Sequence, residues 1–211
     1  MTDAKRFKTE QEAFWAGDFG TEYIRRNEGP ALLASNLSFF ARALASAGPI
    51  GSCIEFGANV GMNLRALQFL RPSMKLSGIE INPAAAKVLR EHLGQDRVFQ
   101  GSILDYQPSG QHDLVLIKGV LIHIDPAELP AVYAKLHESS LRYVLVAEYY
   151  NPAPVSIPYR GHENRLFKRD FAGEMMESFP DLRLVDYGFV YRRDPVFPQD
   201  DITWFLMERE G

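Results

Sequence analysis

The sequence predicts a doubly wound α/β fold, and two observations carry this prediction. From about residue 52 onward, short apolar runs alternate with helical stretches, the order that builds a mostly parallel sheet. The runs are apolar throughout rather than alternating, as strands covered on both faces must be. The last two runs, residues 182–193 and 201–209, follow each other without a helix between them. They predict an antiparallel pair that closes the sheet.

The N-terminal segment, residues 1–48, is expected to be helical and part of the same domain as residues 49–211. Residues 9–46 have helical spacing, broken at Gly29-Pro30. Thr9 followed three residues later by Glu12 predicts a capping box at the first helix start.

The remaining elements follow from the same alternation of patterns. We predict strands at 52–56, 75–80, 97–100, 113–118 and 143–149, and helices at 61–70, 83–93, 126–137 and 170–179. Residues 151–169 break the pattern because they are proline-rich and basic, and they are too long for an ordinary turn. They predict a lid-like loop inserted after a strand end.

The composition excludes several classes of protein. With 211 residues, 23 basic against 27 acidic side chains and 46% hydrophobic residues, the chain is neither disordered nor suited to wrapping nucleic acid. No apolar run approaches the roughly 18 residues of a membrane span. A single cysteine forms no internal disulfide, and the five histidines show no metal-ligand spacing. We expect a cytoplasmic, metal-free protein with small-molecule partners, its oligomeric state left open.

The stretch CIEFGANVGMNLRAL, residues 53–67, is the most informative motif. It runs from a strand through a glycine-rich turn into a helix, whose free N–H groups suit an anionic or polar ligand. The dinucleotide fingerprint G-x-G-x-x-G fails because Asn59 and Met62 replace glycines. The pattern present is acid-x-Gly-x-Asn-x-Gly, formed by Glu55, Gly57, Asn59 and Gly61. Asparagine tolerates positive φ, so the turn can form.

Two acids accompany this turn. Glu80 ends the next strand, where a carboxylate can accept hydrogen bonds from two ribose hydroxyls. Nicotinamide cofactors use an acid in the same way, so Glu80 alone does not discriminate. Glu55 lies inside an apolar strand and needs partners there. It could bond to loop amides or reach a ligand amino group through water, and both readings stay open.

These residues resemble the first motif of the class I S-adenosylmethionine-dependent methyltransferases. The resemblance implies S-adenosyl-L-methionine as cofactor and a Rossmann-like, seven-stranded, mostly parallel sheet with a C-terminal antiparallel hairpin. It further implies cofactor contacts from residues after the second, third and fourth strands, namely Ile81, Gly101, Ser102, Ile103 and Lys118.

A narrower resemblance lies in longer phrases of the chain. TEQEAFWAGDFGTEYIRRN, GIEINP, YYNPAPVSIPYRGHENRLFKRDFAGEM and VYRRDPVFPQDDITWF look like the pseudaminic acid biosynthesis-associated methylases. That family implies an acceptor from nonulosonic, sialic-acid-like sugar pathways.

Candidate catalytic residues follow the fourth and fifth strands. His123, in VLIHID, is either a packing histidine or a general base at the acceptor end of the cleft. Tyr149 is a second candidate, and Tyr150 beside it would line the acceptor site. Either tyrosine could instead cap the core.

Candidate acceptor-binding residues lie in the insertion and near the N-terminus. The insertion holds a basic and aromatic cluster, which includes Tyr159, Arg160, His162 and Arg165. It is either a solvated surface loop or a lid for an anionic acceptor, since guanidinium groups bind carboxylates and phosphates. Trp15, Tyr23 and Asn27 would close the other side of the pocket.

The favoured function is therefore methyl transfer to an oxygen or nitrogen of a small, anionic, sugar-type acceptor. Two alternatives remain, a nicotinamide-dependent oxidoreductase and a non-catalytic nucleotide-binding or scaffold protein on the same fold.

Overall fold

A computed structural model describes residues 7–24 and 29–210, with residues 162 and 163 described by their backbone alone. The helices are α1 (Glu10–Ala16), α2 (Asp18–Tyr23), α3 (Pro30–Ala43), α4 (Met62–Leu70), α5 (Pro83–Leu93), α6 (Leu129–Ser139) and α7 (Phe171–Ser178). The strands are β1 (Ser52–Phe56), β2 (Lys75–Glu80), β3 (Val98–Gln100), β4 (His112–Lys118), β5 (Ser140–Glu148), β6 (Val155–Tyr159), β7 (His162–Lys168), β8 (Leu182–Val190) and β9 (Ile202–Arg209).

Seven of these strands form one sheet in the order β3-β2-β1-β4-β5-β9-β8. The neighbours from β3 to β5 are parallel, whereas β9 runs antiparallel to both β5 and β8. The prediction of a doubly wound, mostly parallel sheet closed by an antiparallel hairpin is confirmed. The order reverses at β1 and β4, and crevices for ligands form at the carboxyl edge of such a switch point.

Each face of the sheet carries its own hydrophobic core. On one face α3, α4 and α5 cover the sheet, with Phe39, Phe40 and Leu64 fully buried. On the other face α6 and α7 pack against β4 and β5, burying residues such as Val132 and Met175. Burial on both faces explains why β1, β4 and β5 are continuous apolar runs in the sequence.

The described part of the N-terminal segment, residues 7–24 and 29–48, forms three helices where the sequence suggested a stretch interrupted once. The predicted capping box is confirmed, because Thr9 and Glu12 each accept a hydrogen bond from the other's backbone N–H. Gly17 ends α1 in an extended conformation and begins α2, a break that the helical spacing did not reveal. No helix within the described residues is long and apolar enough to cross a membrane.

The prediction of a loop over residues 151–169 was wrong in its secondary structure. Strands β6 and β7 pair there as an antiparallel hairpin outside the main sheet. Arg160 and Gly161 form its turn, both with positive φ (51° and 85°), which matches the twist of a tight hairpin. Prolines and charged residues hide the period-two pattern, but an isolated two-stranded edge tolerates both.

Candidate active site

A cavity of about 590 Å³ opens at the carboxyl edge of the sheet, at the predicted switch point. Its floor comes from the residues after β1, β2, β3 and β4, and its roof from the N-terminal helices. Pockets for small ligands in proteins have volumes of roughly 300–1,000 Å³. The cavity is therefore large enough for a cofactor.

The turn after β1 has the backbone that its sequence requires. Gly57, Asn59 and Gly61 have φ of 77°, 48° and 81°, so asparagine adopts the left-handed conformation as expected. The Asn59 side chain accepts a hydrogen bond from the N–H of Val60 at 2.8 Å, which supports this conformation. A Cβ atom added at Gly57 would lie 2.6 Å from Cγ2 of Val120. Only glycine fits at this point of the cavity wall.

Glu80 lies beside this turn and holds it in place. Its Oε2 accepts a hydrogen bond from the Asn59 N–H, and its Oε1 accepts one from the Asn82 N–H, each at 2.7 Å. Burial raises the pKa of this carboxyl, and the backbone hydrogen bonds oppose the shift. A carboxylate can accept about four hydrogen bonds, so Glu80 can hold the loop and still accept a ligand hydroxyl.

Asn82 attaches the N-terminal helices to the sheet. Its Oδ1 caps α5 by accepting from Ala84 and Ala85, while its Nδ2 donates toward the Trp15 carbonyl (3.2 Å), the Gly17 carbonyl and the Thr21 hydroxyl. Asn82 follows Glu80 by two residues, so the roof of the cavity is fixed directly beside the acid that ends β2.

His123 lies in a short 3₁₀ turn after β4 and is 7% exposed. Its Nδ1 lies 2.5 Å from the backbone carbonyl oxygen of Arg165 in β7, and a carbonyl can only accept, so Nδ1 carries the proton. Nε2 is then the unprotonated nitrogen. Burial lowers the pKa of the ring to about 4, which keeps the imidazole neutral and leaves the Nε2 lone pair free.

Aromatic rings surround His123. Trp15 and Tyr159 pack against the imidazole with centroid distances of 4.6 and 4.9 Å, and Tyr23 lies 5.3 Å from the Trp15 ring. Trp15 and Tyr23 line the cavity, whereas Tyr159 backs the histidine from the hairpin. The Trp15 indole N–H is buried without a hydrogen-bond partner among the described residues.

A buried cluster of ionisable side chains lies beneath the cavity floor, and only Glu55 and Lys118 of it were predicted from the sequence. Glu55 accepts a hydrogen bond from Asn63 at 2.6 Å, and burial raises its pKa to about 8. Glu148, at the end of β5, accepts from the N–H groups of Val120 and Leu121, and burial raises its pKa to about 7. Lys118, between them, lines the cavity, and burial lowers its pKa.

Three further polar residues reach the cavity from distant parts of the chain. Gln199 donates a hydrogen bond to Asn36 of α3 at 3.0 Å, and both side chains are buried. Asp200, beside Gln199, accepts a hydrogen bond from Tyr149, whose pKa is raised by burial and by this carboxylate. Asn36, Gln199 and Asp200 could not be predicted from the sequence because neither their spacing nor their setting resembles a motif.

The structure brings most of the predicted site residues to one cavity wall. The lining includes Trp15, Tyr23, Gly57, Asn59, Glu80, Ile81, Ser102, Ile103, Lys118, His123 and Arg160. Seven predicted residues lie outside the lining, namely Glu55, Gly61, Gly101, Tyr149, Tyr150, Tyr159 and Arg165. Asn27 and the His162 side chain lie outside the described residues.

Two of the residues outside the lining have other contacts. Arg165 pairs with Glu10 of α1 at 3.1 Å and lies over the Phe14 ring, so it joins the hairpin to the first helix. Tyr150 is 41% exposed and packs against Phe205 of β9. The hairpin cluster is therefore divided, with Arg160 at the cavity and Arg165 at the contact with α1.

No protein-family profile matches the chain, and no curated protein sequence matches it. Solved structures do match. The 1,6-didemethyltoxoflavin-N1-methyltransferase of Burkholderia thailandensis is similar with a TM-score of 0.71 and 15% identity, over 96% of this chain and 90% of that one. Magnesium protoporphyrin IX methyltransferase of Synechocystis PCC 6803 has a TM-score of 0.68 and 13% identity, over 96% and 98%.

A third similar structure is CalS10, an amino pentose methyltransferase from Micromonospora echinaspora, with a TM-score of 0.62 and 12% identity over 90% of this chain and 96% of that one. The first of these structures contains S-adenosylhomocysteine, and the other two contain S-adenosylmethionine. The chain therefore has the Rossmann-like fold of the class I S-adenosylmethionine-dependent methyltransferases.

Proposed function

We propose that this protein transfers the methyl group of S-adenosylmethionine to an oxygen or nitrogen atom of a small acceptor in the cytoplasm. The observation that carries the proposal is one cavity that joins the glycine turn after β1, the acid at the end of β2 and a neutral histidine after β4. The solved methyltransferases with the same fold support it.

The residues at the cavity fit the donor. The backbone of Gly57 and Asn59 lines the cavity, and the Trp15 N–H is an unused donor. Glu80 would hold the ribose, and Ser102 and Ile103 would contact the adenine. The remaining predicted donor contacts are Glu55, Gly61, Ile81, Gly101 and Lys118. The donor supplies a methyl group already activated by a positive sulfur.

The protein's own residues would then provide alignment and proton removal. His123 presents Nε2 as a proton acceptor because the Arg165 carbonyl holds the proton on Nδ1. Tyr149, which donates to Asp200, is a second candidate catalytic residue. Trp15 and Tyr23 in the roof exclude water, and holding both reactants in one cavity lowers the entropic part of the barrier.

For the acceptor we propose an anionic sugar of the nonulosonic, pseudaminic-acid-like class. Arg160 and Arg192 lie at the cavity wall and would receive its carboxylate. Tyr159 and His162 complete the acceptor side in this proposal, Arg165 holds the hairpin against α1, and the hairpin acts as a lid. The sequence resemblance supports this class, and the amino pentose named for CalS10 is a precedent for a sugar acceptor on this fold.

Calorimetry tests the donor, and mass spectrometry tests the transfer. We expect S-adenosylmethionine and S-adenosylhomocysteine to bind and NAD to give no heat. We then expect a nonulosonic acid or its nucleotide-linked form to gain one methylene in mass. Binding of NAD with no response to the sulfonium ligand would contradict the proposal. Donor binding without transfer to any sugar in the panel would contradict the acceptor class.

A further inference from the structure

An exposed aromatic face lies on the sheet outside the cavity lining. It consists of Tyr150, Tyr187, Phe189, Tyr191 and Phe205, and we call this set the aromatic face. Three ring contacts connect its members, Tyr150–Phe205 at 5.9 Å, Tyr187–Phe205 at 6.4 Å and Phe189–Tyr191 at 6.2 Å. Tyr187 and Phe189 alternate along β8 and share one side of the sheet, and Tyr191 follows directly after the strand.

The two sides of the sheet are covered unevenly at β8 and β9. On the opposite side α3 packs against β8 and β9, where Trp204 is buried over Gly188 and Ser46 donates to Asp186. On the aromatic side α7 reaches Leu182 and Met207 but not the later part of β8. Tyr187, Phe189 and Tyr191 are consequently 66%, 54% and 47% exposed. Within the described residues, no helix or strand covers them.

The exposed rings of this face supply about half of the roughly 800 Å² that one partner buries in a standard interface. An aromatic side chain offers roughly 150–250 Å², so the exposed parts of its four most exposed rings present about 400 Å². A standard interface buries about 800 Å² from each partner, of which a little over half is apolar. Four side chains thus supply nearly all the apolar area that one partner needs.

The face, rather than the edge of β8, is the surface suited to contact. A register shift between Leu184 and Asp186 disrupts the strand, and Asp186 occupies the Tyr187 N–H with its own carboxylate. Bulges and charges of this kind protect sheet edges from pairing with other strands. The aromatic side chains have no such protection.

We propose that the aromatic face packs against the same face of a second copy, giving a two-fold symmetric dimer. A two-fold axis places a patch against itself, so a patch of one charge would repel its copy. The side chains of this face are uncharged, and aromatic pairs stabilise each other in edge-to-face and offset arrangements. The area and the neutrality both favour a second copy as the occupant.

Sedimentation velocity and light scattering on the full chain test the dimer. We expect the native protein to have twice the 23.9 kDa mass of the chain at micromolar concentration. Phe189→Glu should return the mass to one chain because two carboxylates would meet at the axis. Phe69→Glu is the matched control, since Phe69 is 68% exposed on α4. It should leave the dimer intact.

A crosslinking variant covers the case in which Phe189→Glu does not fold. Phe189→Cys should form a disulfide-linked dimer under mild oxidation, while the buried Cys53 stays reduced. Phe69→Cys should form none. A monomeric native protein, a dimer that survives Phe189→Glu, or an assembly that grows beyond two chains would overturn the proposal. Equal crosslinking at both positions would overturn it as well.

Discussion

The Nδ1 atom of His123 lies 2.5 Å from the backbone oxygen of Arg165, which joins the turn after β4 to the hairpin. Because that oxygen only accepts, the imidazole presents Nε2 as its free lone pair. Burial lowers the pKa of the ring to about 4, so the folded state binds a proton less readily than the unfolded chain, whose value is 6.5.

The first prediction is that His123 stays neutral down to about pH 4. Its contribution to the free energy of unfolding is complete above about pH 6.5 and declines as pH falls toward 4, at about 1.4 kcal/mol per unit. Histidine NMR titration should show one resonance that changes only near the lower value. The resonance is assigned to His123 if it disappears in His123→Gln. A titration midpoint near pH 6.5 for that resonance would contradict the burial argument.

The second prediction concerns donor affinity. Glu80→Ala should weaken binding of S-adenosylhomocysteine by about 1.5–3 kcal/mol, the range for hydrogen bonds to charged groups. The variant also loses the hydrogen bonds from Asn59 and Asn82, so part of the loss comes from a looser turn. Calorimetry measures the change, and Glu91→Ala on the exposed side of α5 is the control. Equal affinities for the two variants would remove Glu80 from the donor site.

The third prediction separates two arginines that the sequence placed in one cluster. Arg160→Ala should raise the KM of the acceptor by roughly ten-fold or more with little effect on the donor, since loss of a charged hydrogen bond costs about 1.5 kcal/mol or more. Arg165→Ala should instead loosen the contact with Glu10 and affect both KM values. Steady-state kinetics with each substrate varied in turn distinguishes these patterns. The same changes in donor and acceptor KM for both variants would contradict the different roles given to Arg160 and Arg165.

The sequence predicted the parallel strands well because burial on both faces makes each a continuous apolar run. It did not predict the hairpin β6–β7, whose alternation is hidden by Pro154, Pro158 and a group of charges. Tertiary pairing forms these strands, and local preference does not reveal them.

The cavity residues also divide into those that a local sequence motif predicts and those that meet only through tertiary contacts. Glu80 and the glycine turn were found because they lie at fixed places in a strand-turn-helix motif. Gln199 and Asn36 meet from positions 163 residues apart, a pairing that spacing within one sequence does not encode. Glu148 could have been found, since it ends a strand beside β4 just as Glu80 ends a strand beside β1.

The fourth prediction concerns the cluster beneath the floor. Burial raises the pKa of Glu55 from 4.5 to about 8, so the folded state holds its proton more tightly than the unfolded chain. Stability therefore falls as pH rises between these values, by about 1.4 kcal/mol per unit from this carboxyl. Glu55→Gln should remove this part of the pH dependence of the free energy of unfolding, measured by urea unfolding at several pH values. The variant should also be more stable than the native protein above about pH 8. Glu91→Gln should leave the slope unchanged, and a native-like slope in Glu55→Gln would contradict the burial argument.

The fifth prediction tests the glycine turn through stability. Gly57→Ala should lower the free energy of unfolding by about 2–5 kcal/mol, because a left-handed φ costs a Cβ-bearing residue about 1–2 kcal/mol and overpacking adds about 1–3. The overpacking arises where the new methyl meets Val120 at 2.6 Å. Adding Val120→Ala should relieve that contact, so the second substitution should cost less in the Gly57→Ala background than in the native protein.

The control is Gly110→Ala, which has no heavy atom within 4 Å of its Cβ. It should change stability little in the same urea unfolding series. Strictly additive effects of the two substitutions would show that the 57–120 contact does not restrict this turn.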